Sequence, residues 1–139
     1  MGQRVLVVDD EPPTVKMIQA ALEREGLEVA TAANGAECLL AAESNPPDLV
    51  ILDVVMPVLD GFETLRVLRE KPATRELPVI MLTARREDRD VVRGWMTGVD
   101  LYLTKPFQMD DLLTAVRRIL TVAHEEPSGE EGEPPPLSG

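Results

Sequence analysis

Three aspartates, a threonine and a lysine carry the chemistry that this sequence offers, and each stands at the end of a short apolar run. Asp9 and Asp10 follow Arg4–Val8, and Asp53 closes the run Leu49-Val50-Ile51-Leu52. Thr83 follows Val79–Leu82, and Lys105, with Pro106 behind it, follows Asp100–Thr104. Carboxylates brought together repel one another, so one of them must take up a proton or a cation must sit among them. A hard divalent ion with oxygen ligands relieves that repulsion. Mg²⁺ is the usual choice where phosphate is also handled, because it keeps several waters and needs only one or two protein carboxylates. Phosphoryl transfer requires in-line positioning and neutralisation of charge on the equatorial oxygens. The metal serves one oxygen, and Lys105 serves a second as a compact point charge. The Thr83 hydroxyl and nearby backbone N–H groups serve the third. Asp53 is then the attacking nucleophile, and an aspartyl-phosphate is the product.

Such a site works only if the elements deliver these residues to one rim. The chain alternates strand and helix five times. Arg4–Val8 reads as a strand buried on both faces. Pro12 and Pro13 suit the first turn of a helix, whose apolar positions are Val15, Ile18, Ala21 and Leu22 and whose end is Gly26 as the C′ residue. Glu28–Thr31 is a more polar strand near a sheet edge. Ala36, Leu39 and Leu40 mark a helix that stops before Pro46-Pro47. Asp48–Val54 is the strongest strand, and Pro57 and Gly61 bracket the loop after it. Leu65 and Leu68 give a third helix, ended near Pro72, and Val79–Leu82 a fourth strand. Val91, Val92, Trp95 and Met96 form a helical stripe closed by Gly98, before a fifth strand at Asp100–Thr104. Met109, Leu112, Leu113, Val116, Ile119 and Leu120 form the last helical stripe. This alternation predicts an α/β fold, a parallel sheet with helices on both faces. In such open sheets, ligands bind at the carboxyl ends of the strands.

Composition narrows the classes of function. The length fits one domain with a core that needs no staples. The net charge is −11, and five glutamates (Glu125, Glu126, Glu130, Glu131 and Glu133) fall in the last 16 residues, so the body carries −6. An acidic body repels nucleic-acid and lipid phosphates, which argues against direct binding to either. No run approaches a membrane span, and Met1–Val8 reaches acidic residues too soon for a secretion signal. A single cysteine, Cys38, excludes an internal disulfide and fits a reducing cytoplasm. From 123 to 139 the chain turns to Glu, Pro, Gly and Ser, a composition expected to be a disordered tail or linker beyond a domain of residues 1–122.

The motifs resemble those of response-regulator receiver domains of two-component systems. Val7-Val8-Asp9-Asp10-Glu11 is similar to the family's acidic pair. Leu52-Asp53-Val54-Val55-Met56-Pro57 with Asp60-Gly61 is similar to its phosphoacceptor segment. Leu82-Thr83-Ala84 and Lys105-Pro106-Phe107 are similar to its last two signatures. The match runs from residue 1 to about 122, and four separated motifs agree in order. The resemblance implies a flavodoxin-like, five-stranded parallel sheet of order 2-1-3-4-5. It implies Mg²⁺ held by Asp9, Asp10, Asp53 and the backbone carbonyl of Val55, and phosphorylation of Asp53 by a sensor histidine kinase or phosphotransfer protein. It implies Thr83 and Lys105 as readers of the phosphoryl group, a cis Lys105–Pro106 bond aiming the lysine inward, and Tyr102 as an aromatic switch. The signal would pass through the fourth helix, fifth strand and fifth helix to a downstream effector or a fused output domain, or to a second copy in a phosphorylation-dependent homodimer. No enzymatic turnover beyond the protein's own phosphorylation and dephosphorylation is implied.

Taken singly, each residue has an ordinary explanation. An Asp-Asp pair is commonly a cap, Asp53 a turn former, Lys-Pro a loop, Thr83 a strand-end residue bonded to its own backbone and Tyr102 half-buried packing. Their joint placement is what points to a site. Trp95, Met96 and the Leu112–Leu120 stripe read as core, Cys38 as a small apolar filler and His124 as inert. Arg85, Arg86, Arg89 and Arg93 read as a solvated face. Neither Val55 nor Arg85 can orient an attacking water, so a long-lived aspartyl-phosphate is expected. A metal-dependent phosphatase with an aspartate nucleophile is the first rival, but it usually places an acid two residues after the first, where Val55 stands. A flavin or nucleotide binder would need a Gly-rich loop in place of Asp9-Asp10-Glu11-Pro12-Pro13. A pseudo-receiver that only docks would not need the acidic set, Thr83 and Lys105.

Overall fold

The computed structural model describes residues 3–54, 60–83 and 99–124. Among the expected features, Val55, the Arg85–Arg93 charge run, the Val91–Met96 stripe and the acidic stretch 125–139 lie outside the described residues. The described elements are β1 (Arg4–Val8), α1 (Pro12–Arg24), β2 (Glu28–Ala32), α2 (Gly35–Ser44), β3 (Leu49–Asp53), α3 (Gly61–Glu70), β4 (Val79–Thr83), β5 (Leu101–Thr104) and α4 (Met109–His124). All strand pairs are parallel, in the order β2-β1-β3-β4-β5. The expected sheet and order are therefore present, with each strand bound either as expected or displaced by one residue.

Period-two alternation along the strands builds two cores. Leu6, Val8, Val50, Leu52, Val79 and Met81 face one side, where Cys38 and Ala42 of α2 and Leu65 and Leu68 of α3 pack on them. Val5, Val7, Leu49, Ile51, Ile80 and Leu82 face the other, against Ile18 and Leu22 of α1 and Leu112, Val116 and Leu120 of α4. β1, β3 and β4 are the central strands, and Val5–Val8 and all of β3 and β4 are buried. That is why they read as unbroken apolar runs in the sequence. Edge strand β2 has only Ala32 buried.

Local chemistry fixes the helix ends. Pro12 and Pro13 occupy the first turn of α1, and Gly26 follows its end at φ +87°, where a side chain would be strained. Asn34 caps α2 by accepting from Glu37 N at 2.9 Å. Asp60 caps α3 in a reciprocal box with Glu63. At the opposite end of the sheet, Val79 N donates to Asp100 Oδ2 at 2.8 Å, and Asp100 N returns a bond to Val79 O at 2.9 Å. Burial pushes the Asp100 carboxyl up, and the Val79 N–H opposes that shift.

Candidate functional site

Parallel strands end on one side, so the residues that close β3 and β4 and those that follow β1 and β5 arrive at one rim. Asp9 is 2% exposed and Asp53 4%, whereas Asp10 faces solvent. One carboxylate oxygen from each of the three lies within 4.8 Å of the others. Lys105 Nζ reaches into the group, 3.1 Å from Asp53 Oδ1 and 3.2 Å from Asp9 Oδ2.

The backbone holds these side chains in place. Asp9 N donates to Ala32 O at 3.2 Å, and Asp9 Oδ1 accepts from Glu11 N at 3.0 Å. The Asp9 carboxylate is thus fixed by the turn into α1 on one oxygen and by Lys105 on the other. Asp53 lies in register with Leu82 of β4. Lys105 N donates to Thr83 O at 2.7 Å, joining the lysine directly to the end of β4. The Lys105–Pro106 peptide bond is cis. Thr83 is fully buried and opposes Thr104 of β5. Tyr102 opposes Met81 and is partly buried against the core that contains Met81 and Leu52.

Charge balance explains what this pocket lacks. Burial, and then the Asp9 charge, push the Asp53 carboxyl up to about 6, against the opposing pull of Lys105. For Lys105, burial alone would favour the neutral amine, but the Asp53 and Asp9 charges outweigh it and hold its pKa above the ordinary value. Three carboxylates against one ammonium leave the pocket short of positive charge. The donors are hard oxygens, close enough for one divalent ion that binds some of them through its own waters. The residues therefore fit a divalent metal site. Asp9, Asp10 and Asp53 are brought together with Lys105, and Thr83 joins through its carbonyl. Val55 lies outside the described residues, and Tyr102 stands on β5, not among the carboxylates.

In the sequence, Gly61 brackets the loop and belongs to the Asp60-Gly61 part of the motif that resembles the phosphoacceptor segment, without a contact of its own; in the fold, Gly61 N donates to Val54 O at 2.8 Å, one residue from Asp53. The pattern Asp60-x-x-Glu63 is a capping-box signature and marks the start of α3 in the sequence.

The chain matches the response regulator receiver domain family over residues 5–117. It is 44% identical over 120 residues to the alkaline phosphatase synthesis transcriptional regulatory protein PhoP of Bacillus subtilis, covering 86% of this chain and 49% of that protein. The chain spans about half the length of the curated relatives it matches. Among solved structures, the response regulator TrrA of Thermotoga maritima in complex with Mg²⁺–BeF superposes with a TM-score of 0.76 at 38% identity, covering 84% of this chain and 98% of that one. The receiver domain of a Pseudomonas aeruginosa sensor histidine kinase, with a magnesium ion in its active-site cleft, superposes with a TM-score of 0.79 at 32% identity, covering 88% of this chain and 100% of that one.

Proposed function

The chain belongs to the response regulator receiver domain family, and from that premise we propose that it is the phosphoacceptor of a two-component relay, loaded on Asp53. The observation that carries this reading is the Asp9–Asp10–Asp53 cluster with Lys105 Nζ bridging Asp53 and Asp9. A receiver is not a conventional enzyme, and the only turnover proposed is that of its own aspartyl-phosphate.

A carboxylate oxygen of Asp53 attacks the phosphorus of a phosphohistidine on a sensor kinase or phosphotransfer protein. The P–N bond breaks, and its electron pair leaves on the donor imidazole. Asp9, Asp10 and Asp53, with the Val55 carbonyl, would hold Mg²⁺, which when bound would supply charge neutralisation to the transferring phosphoryl group. Lys105 pairs with one phosphoryl oxygen, and in doing so gives up its contact with Asp53. The Thr83 hydroxyl, at the end of the next strand, donates to another. A largely apolar groove lined by Thr14, Met17, Lys105, Pro106, Phe107 and Met109 opens at the edge of the pocket.

Loading adds up to about two negative charges and three strong acceptors beside Lys105 and Thr83. Drawing the Thr83 hydroxyl toward the phosphoryl group frees space along β4, into which Tyr102 turns. The face built on β5 and its flanking helices then repacks toward an effector, an output domain or a second copy. No helix among the described residues is long and apolar enough to cross a membrane, and the cytoplasm is the proposed compartment. Incubation with acetyl phosphate and Mg²⁺, followed by intact-mass measurement, tests the proposal. One phosphoryl adduct is expected on the native chain and none on Asp53→Asn. An adduct that survives in Asp53→Asn, or none in either protein, would overturn it.

A further inference from the structure

Gly61 opens α3 without needing the backbone freedom of glycine, since among the described residues only Gly26 has a left-handed glycine conformation. It is short of space instead. A Cβ at position 61 would lie 2.4 Å from the Asp53 carbonyl oxygen and 2.7 Å from Val54 Cα, with Met81 Cε at 3.0 Å. The first two neighbours are backbone of the nucleophile-bearing residue and the one after it, and backbone cannot swing aside as the Met81 methyl can. Gly61 N also donates to Val54 O at 2.8 Å, so the chain leaves the strand end at Val54 and returns to touch it at Gly61.

Both sides of this contact are anchored. β3 lies between β1 and β4 in the sheet, and Val54 N donates to Leu82 O at 2.9 Å. On the helix side, Asp60 and Glu63 form the capping box. The buried Thr64 donates its Oγ1 hydrogen to Asp60 O at 2.7 Å, and Leu65 and Leu68 are sunk in the core. Two stiff pieces therefore meet through bare backbone with no slack.

We infer that the first turn of α3, seated through Gly61 on the peptide that carries Asp53, sets where the Asp53 carboxylate stands relative to Asp9 and Lys105. Gly61 is thus a positioning residue for the acidic pocket. The inference rests on the phosphoacceptor reading of Asp53 and adds the element that aligns it. A side chain at position 61 must open the contact by about 1 Å to reach ordinary van der Waals separation. Misplacement of that size costs about 10²-fold in rate.

The test compares the full chain with Gly61→Ala, Thr64→Val and, as a control, Leu68→Ala, which opens the core beneath the same helix far from Gly61. Three quantities are measured: urea stability, Mg²⁺ affinity by calorimetry, and the rate of loading by acetyl phosphate at saturating Mg²⁺. Gly61→Ala is expected to bind Mg²⁺ about 10-fold more weakly and to load about 10²-fold more slowly. Thr64→Val should move both in the same direction by less. Leu68→Ala should lose stability while keeping both. A folded Gly61→Ala with native affinity and rate would overturn the inference. So would a Leu68→Ala protein that loses both as much, since the loss would then follow stability alone. If Gly61→Ala does not fold, Thr64→Val decides, and native values there overturn the inference. A native chain that binds Mg²⁺ but does not load overturns the phosphoacceptor reading instead, and the affinities still judge Gly61.

Discussion

Lys105 Nζ lies 3.1 Å from Asp53 Oδ1, so the proposed nucleophile is already in contact with the cation that must later neutralise its cargo. The pair shows how far one lysine can balance the pocket. Asp53 remains pushed up to about 6 despite that contact, because burial and the Asp9 charge together outweigh it. A proton on Asp53 relieves this imbalance by neutralising the carboxyl, whereas a divalent ion would relieve it by favouring the ionised form.

Lys105→Met should expose that imbalance directly. The substitution keeps the length of the stem and removes the pull toward the ionised form that Lys105 alone exerts on Asp53 among the described residues. In metal-free protein the carboxyl carbon of Asp53, followed by NMR across pH, should titrate above 6. Loading at saturating Mg²⁺ should slow by about 10²-fold, the usual cost of removing one transition-state charge partner. A titration midpoint that stays put or falls would contradict the pairing.

The same imbalance makes stability depend on pH with a definite sign. The Asp53 pKa is raised from 3.8 to about 6 in the folded chain, so the folded state holds this proton more tightly than the unfolded state. Ionised Asp53 therefore costs stability above pH 6. The cost shrinks as pH falls through 6 and is gone below 3.8. The full shift corresponds to about 3 kcal/mol. Asp53→Asn in a metal chelator should gain about 1–3 kcal/mol at neutral pH in urea unfolding and nothing at the acid end. A loss of stability at neutral pH would sink the argument.

Asp10 separates metal binding from folding. It is exposed yet offers an oxygen within 4.8 Å of those of Asp9 and Asp53. Asp10→Asn should leave urea stability in chelator within about 0.5 kcal/mol, as expected of a surface substitution. Saturating Mg²⁺ should stabilise the native chain by about 2.7 kcal/mol at a hundred times its Kd. The variant should need a higher concentration for the same gain, and equal Mg²⁺ titration curves for the two proteins would remove Asp10 from the site.

Much of this was legible before any coordinates, for a simple reason. In a doubly covered parallel sheet the central strands must be apolar on both faces, so β1, β3 and β4 announce themselves. The polar residue that breaks each run, Asp9, Asp53 or Thr83, is then at the rim by construction. The strand β5 is less apolar and its residues are only partly buried, so Lys105 at its end announces itself less sharply than the residues that close β1, β3 and β4. What stayed hidden depends on separations between elements. The Gly61 contact with the Asp53 peptide is a matter of tenths of an ångström, and a glycine beside an aspartate reads equally well as a loop. The reciprocal bonds of Val79 and Asp100 are also silent in sequence, because Asp100 reads as the start of a strand and not as a partner for the one before it.

The aspartyl-phosphate should outlast a few seconds once the donor is removed. Hydrolysis needs a water oriented by a neighbouring acid or amide, and Val55 and Arg85, two residues after Asp53 and Thr83, supply neither. Decay followed by intact mass after rapid desalting gives the lifetime. Val55→Asn should shorten it, and complete loss within seconds in the native chain would show that another group orients the water.

Cys38 offers a reading of global opening that is independent of phosphate chemistry. Its side chain is fully buried between the sheet and α2, and burial pushes the thiol up to about 12. Since the thiolate is the reactive form, both access and ionisation protect it in the folded chain at neutral pH. A disulfide reagent should leave the native protein unmodified and label one thiol per chain in urea. In mild denaturant the labelling rate should follow the population of the open form. Mg²⁺, which stabilises only a chain whose acidic residues are gathered, should slow it by the same factor by which it shifts the unfolding equilibrium. Prompt labelling of the native protein would mean that α2 lifts from the sheet on its own. A labelling rate indifferent to Mg²⁺ would mean that α2 opens without disturbing the rim where Asp9 and Asp53 meet.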